Sequence, residues 1–127
     1  MVINLLSIME AGGYPDFITA YQSLNCEFLQ LKSLRKAIRH IKKNPVDIIV
    51  TEYNFQTQFR DRTSSLESLM AILQFQQNVK VIVLIEKAHQ EHFIKVSSRF
   101  PIFATINFPI EEKVLMDTVA EAISQIS

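Results

Sequence analysis

Apolar runs of strand length alternate along the chain with segments whose apolar residues recur every three or four positions. The strand-like runs are Val2 to Ile8, Cys26 to Leu31, Val46 to Thr51, Val79 to Ile85 and Ile102 to Ile106. They are short, rich in β-branched residues and bounded by turn formers, which predicts strands rather than buried helix. The intervening segments carry one-sided apolar stripes. These are Phe17, Ala20, Tyr21 and Leu24, then Leu34, Ala37, Ile38 and Ile41, then Leu66, Leu69, Met70 and Leu73. Phe93, Val96 and Phe100 form the next, in a helix over 88–100, and Leu115, Val119, Ala122, Ile123 and Ile126 the last. Strict alternation of strand and helix predicts parallel βαβ units, and so an α/β, doubly wound sheet with helices on both faces.

Local chemistry punctuates the elements where the periodicity changes. Gly12-Gly13 makes a turn after the first strand, and Asn25 suits the left-handed position that ends the first helix. Ser33 is placed to cap the second helix, and Pro45 terminates it. Ser64 with Glu67 fits a capping box for the third helix. Asn78 precedes the fourth strand, Pro101 closes the fourth helix, and Pro109 precedes the fifth. The run Val46, Ile48, Ile49, Val50 is the most continuous, as expected of a central strand covered on both faces.

Composition narrows the class without changing this picture. At 127 residues, with 48% hydrophobic and 20% charged positions, the chain is expected to form one domain over 1–127 with its own core. No apolar run approaches the roughly 18 residues of a membrane span, and the first residues lack a signal-peptide pattern, so a cytoplasmic location is the expectation. Cys26 has no second cysteine to pair with for a disulfide or a thiolate metal site, and reads as a small buried strand residue. Thirteen basic residues balance thirteen acidic ones. Nothing global then draws the chain to nucleic acid or an anionic membrane, while neutrality favours self-association.

Three stretches sharpen the reading. Asn44-Pro45-Val46-Asp47-Ile48-Ile49-Val50-Thr51-Glu52 runs from a proline-adjacent aspartate to a carboxylate five residues later, Val81 to Ile85 is an aliphatic strand, and Ile106-Asn107-Phe108-Pro109-Ile110 ends the last strand at a proline. In this order they resemble the CheY-like receiver domains of bacterial two-component signalling, a resemblance that covers essentially the whole chain. It implies a flavodoxin-like five-stranded parallel sheet in order 2-1-3-4-5, with the site at the carboxyl ends of the strands. It also places Glu52 at the phospho-acceptor position.

The departures from that pattern bear on chemistry. Receivers hold magnesium with an acidic pair at the end of the first strand, and here the stretch is Ile8-Met9-Glu10-Ala11, so Glu10 is the remnant of that pocket. Magnesium prefers a cage of hard oxygens, which predicts weak or absent binding, and no cofactor is expected. Glu52 is one methylene longer than aspartate. Ile85 stands where the family has a hydroxyl, Phe108 where it has a phosphate-binding lysine, with Asn107 the offset substitute, and Thr105 where it has a switch aromatic. The loop between Glu52 and Leu66 is also longer than the family's. Charge on a transferred phosphoryl group would go largely uncompensated.

Other constellations have plainer explanations. His89 and His92 stand three apart with Glu91 nearby, but no third ligand is in view and they share a face with Phe93 and Val96, which predicts a helix flank. Lys32, Arg35, Lys36, Arg39, Lys42 and Lys43 hold six of the thirteen basic residues and read as a solvated helix face without interleaved aromatics. Gly12-Gly13 lacks the glycine pattern and lysine of a phosphate loop. Phe55 and Phe59, in the polar loop 53–63, either fold over the core or anchor a partner.

The expected function is therefore a degenerate receiver, a non-enzymatic module that acts by binding another protein in signal transduction or a second copy of itself. The resemblance points to the face of the fourth helix, fifth strand and fifth helix, with Lys95, Arg99 and Asp117. Two alternatives stay open, a small flavodoxin-like ligand-binding protein or enzyme, and an atypical receiver that is still phosphorylated.

Overall fold

The computed structural model describes residues 3–9, 24, 26–52, 65–73, 79–86, 88, 90–98 and 101–126. Sequence expectations at Glu10, Gly12-Gly13, the first helix apart from Leu24, Asn25, the 53–63 loop with its two phenylalanines, Ser64, Asn78, His89, Arg99 and Phe100 lie outside the described residues. So do the side chains of Leu66, Glu67, His92, Lys95 and Val96.

Five strands, β1 (Asn4–Ile8), β2 (Glu27–Leu31), β3 (Ile48–Glu52), β4 (Lys80–Ile85) and β5 (Ala104–Asn107), form one sheet in the order β2-β1-β3-β4-β5. Every pairing is parallel. The expected doubly wound topology is present, with its central strand where the apolar run is most continuous. All five residues of β3 are buried.

The pleat divides the core into two layers. Leu6, Ile8, Ile49, Val81, Val83 and Ile85 point to one face, where helices Leu34–Lys43 and Ser65–Leu73 cover them with Ala37, Ile41, Leu69, Met70 and Leu73. Phe93, from helix Gln90–Ser97, joins the same layer. Leu5, Ile48, Val50, Ile82, Leu84 and Ile106 point to the other face, where Leu115, Val119 and Ala122 of helix Glu112–Ile126 meet them. Burial on both sides explains why the inner strands β1, β3 and β4 are mostly apolar, whereas the edge strand β5 alternates, with Thr105 and Asn107 exposed.

Element boundaries move by a few residues. β3 starts at Ile48, because Val46 and Asp47 belong to the turn that delivers it. Asp47 acts as a clamp there. Its Oδ2 accepts from the Asn4 N–H at 2.9 Å, its own N–H donates to the Asn4 carbonyl at 2.9 Å, and its carbonyl accepts from the Lys80 N–H at 2.9 Å. One residue thus ties the amino ends of β1, β3 and β4 and sets the register that carries Glu52 to the opposite edge. Asp47→Ala removes the charge-assisted bond and is expected to cost about 1–3 kcal/mol, read as a lower chemical-denaturation midpoint at unchanged slope.

Other boundaries follow caps and edges. Ser33 caps the 34–43 helix as expected, its Oγ accepting from the Lys36 N–H at 3.4 Å, and Asn44 ends the helix by donating its N–H to the His40 carbonyl. β5 runs from Ala104 rather than Ile102, and Cys26 lies just before β2, half-buried rather than fully buried. Among the described residues no helix is long and apolar enough to cross a membrane.

Candidate functional site

In a doubly wound sheet the carboxyl ends of the strands face a crevice where the helix connections diverge. The register places Thr51 beside Ile8, Glu52 beside Leu84, and Ile85 beside Asn107 along that edge. The structure therefore brings Glu52, Ile85, Asn107 and Phe108 to one rim, as the sequence implied.

Glu52 is the chemically distinctive group. It ends the central strand with 5% of its surface exposed, a carboxylate at the margin of an otherwise aliphatic layer. The period-two pleat turns it to the face of Ile48 and Val50, where its cross-strand neighbour is Leu84. Its main-chain carbonyl accepts from Thr51 Oγ1 at 3.2 Å, which occupies the neighbouring hydroxyl with the backbone.

The remaining rim positions are committed to packing. Ile85 is 1% exposed and belongs to the layer beneath the 65–73 helix and Phe93, so its side chain fills core volume rather than the crevice. Phe108 is half-buried against the opposite layer, joined to Ile85 by its N–H donating to the Ile85 carbonyl at 3.0 Å. The Phe108–Pro109 peptide is cis. Met9, which follows β1, packs on the same layer as Phe108. Asn107 is exposed and accepts from Gln90 Nε2 at 3.1 Å, tying the end of β5 to the start of the 90–97 helix. Thr105 is exposed on β5 and Asp117 on the last helix.

Magnesium takes near-octahedral oxygen, with one or two carboxylates and several waters, and at the described strand ends the carboxylates are Glu52, which ends β3, and the exposed Glu86, which follows β4, set among Met9, Leu84, Ile85 and Phe108. Among the described residues no three His, Cys, Asp or Glu side chains group as metal ligands.

Two features escaped the sequence. A cavity of about 280 Å³ lies at the opposite, amino edge, between β1, β2 and the end of the 34–43 helix, with Glu27, Leu29, His40 and Asn44 in its wall. The bond between Gln90 and Asn107 was the other, since nothing in the sequence pairs residues seventeen apart. Nearby, burial pushes the Cys26 thiol up from its ordinary range, which keeps it protonated and slow as a nucleophile.

A five-stranded parallel sheet in this order, with its crevice at the end of β3, defines the flavodoxin-like class of doubly wound proteins. Within that class the fold is that of CheY-like receiver domains. A receiver domain protein from Methanospirillum hungatei superposes with a TM-score of 0.74 over 98% of this chain and 96% of its own, at 12% identity. The Vibrio cholerae chemotaxis protein CheY4 gives 0.70 over 96% and 99%, at 13% identity. A Francisella response regulator receiver domain gives 0.70 over 98% and 99%, at 17% identity. No protein-family model matches the chain, and neither does any curated protein sequence.

Proposed function

We propose that this chain is a degenerate receiver, a non-enzymatic signalling module that binds another protein and does not run the usual phosphoryl transfer. The observation that supports it is the fate of two rim positions. Ile85 and Phe108 both spend their side chains on the two hydrophobic layers, so neither of these two positions offers a hydroxyl or a cation to a phosphoryl group at the acceptor-equivalent Glu52. A phosphoryl group in that crevice would carry charge into an aliphatic rim, where uncompensated charge is costly. Glu52 at the end of the central strand then either mimics a modified acceptor or is a relic of one. The surface of the 90–97 helix, β5 and the last helix, with Lys95, Arg99 and Asp117, is the proposed partner face, and the cytoplasm the proposed compartment.

Trifluoroberyllate with magnesium mimics a bound phosphoryl group without needing the transfer step, so it separates recognition from chemistry. Amide resonances of Glu52, Ile85, Asn107 and Phe108 are expected to stay in place when it is added. Saturable shifts at those four residues would overturn the reading, because they would mean that the crevice still recognises the phosphoryl state.

A further inference from the structure

The formal charge is zero, but the charges are not mixed. Lys32, Arg35, Lys36, Arg39, Lys42 and Lys43 are all exposed, and the helix LRKAIRHIKK contains no acidic residue. On the last helix Glu112, Asp117 and Glu121 are exposed, as is Glu111 just before it, with Lys113 as the basic exception.

The helix dipole explains part of this. Lys42 and Lys43 sit in the last turn of their helix and Glu112 in the first turn of its own, where those signs are favourable. It does not explain Arg35 and Lys36, which crowd positive charge at the amino end of a helix, or Glu121, which lies toward a carboxyl end that has no basic residue in its last turn. Like charges at i and i+4, as in Arg35 and Arg39 or Asp117 and Glu121, repel and weaken each helix. The ridges are matched in pitch, each pair rising about 6 Å along its axis.

These ridges cannot neutralise one another within one molecule. Ala37 and Ile41 anchor the basic helix on one core layer, while Leu115, Val119 and Ala122 anchor the acidic helix on the other, so the whole sheet lies between them. Val114 is exposed one turn before Asp117 and adds apolar surface that the arginine stems can cover.

We propose that copies of this chain associate head to tail, with the Arg35–Arg39 ridge of one docked on the Asp117–Glu121 ridge of the next. Such a contact is heterologous, and because the two ridges lie on opposite faces it extends into chains rather than closing as a dimer. Nucleic acid is the less favoured occupant of the basic helix, since residues 32–43 include no Phe, Tyr or Trp for bases to stack on. The inference rests on charge placement and not on the phosphoryl reading, so shifts with trifluoroberyllate would leave it standing.

Sedimentation velocity over a concentration series tests it. The weight-average mass is expected to rise past that of a dimer in about 0.01 M salt, and the dissociation constant to rise at least tenfold by about 0.15 M, as the screening length falls from about 30 Å to about 8 Å. The double variants Arg35→Glu with Arg39→Glu and Asp117→Lys with Glu121→Lys, all at exposed positions, are each expected to stay monomeric and folded by circular dichroism. Mixed in equal amounts, they should associate again, since each then supplies the charge the other lacks. Three results would overturn the proposal. These are a mixture that remains monomeric, self-association of either variant alone at wild-type strength, and a wild-type protein that stays monomeric while its basic helix binds a single-stranded oligonucleotide.

Discussion

Incubated with magnesium and acetyl phosphate, the protein is expected to keep its intact mass. Phosphoryl transfer is catalysed almost entirely by positioning and by charges preorganised around the equatorial oxygens. The carboxyl rim supplies neither at the described positions. The acceptor-equivalent Glu52 carries an extra methylene, Met9 packs on a hydrophobic layer beside the place of a metal carboxylate, and Ile85 and Phe108 replace a hydroxyl and a cation. Loss of one transition-state donor typically costs a factor of about 10²–10³, so two such losses predict a rate lower by about 10⁴–10⁶ than that of an ordinary receiver. Glu52→Asp restores the acceptor and nothing else, and is expected to remain unmodified. A stoichiometric mass gain of one phosphoryl group on the unaltered chain, mapped to the crevice by peptide mass spectrometry, would mean that the site is active in an unusual form.

The second large effect concerns stability rather than reaction. Ile85→Thr returns the hydroxyl that receivers carry, yet here it should destabilise the protein by about 2–4 kcal/mol. Ile85 is 1% exposed within a core layer of aliphatic side chains and Phe93, and a hydroxyl placed there without a partner costs about 1–3 kcal/mol, to which the shortened side chain adds about 0.5–1.5 kcal/mol. Thermal and urea unfolding would both register the loss. A neutral or stabilising substitution would show instead that this position opens onto the crevice. Ile85→Val, which keeps the apolar surface, should lose only the smaller of the two contributions.

The two effects share one cause. At the carboxyl rim, side chains either face the crevice and serve chemistry or face the layers and serve packing, and a single strand end cannot do both. Ile85 and Phe108 are placed in the layers. Strand order, register and the central position of β3 survive that exchange because they depend on the aliphatic pattern and the Asp47 clamp, both remote from the rim.

The sequence by itself determined the alternation of strand and helix, the strand count, the apolar stripes and the identity of the residues at the strand ends. Each is a local property, read from a period of two or of 3.6 residues. The order 2-1-3-4-5 and the place of Glu52 came from resemblance, since periodicity carries no information about which strands are neighbours. Tertiary structure decided what local pattern could not. It set which layer each rim residue enters, for Ile85 and Phe108 are apolar in any reading, and only pairing with Asn107 and packing under Phe93 show where Ile85 is spent. It made Asp47 a clamp through contacts 43 residues apart in the chain. It also put the basic and acidic helices on opposite sides of one sheet, because a right-handed crossover sends successive helices to a face fixed by strand order rather than by their own residues.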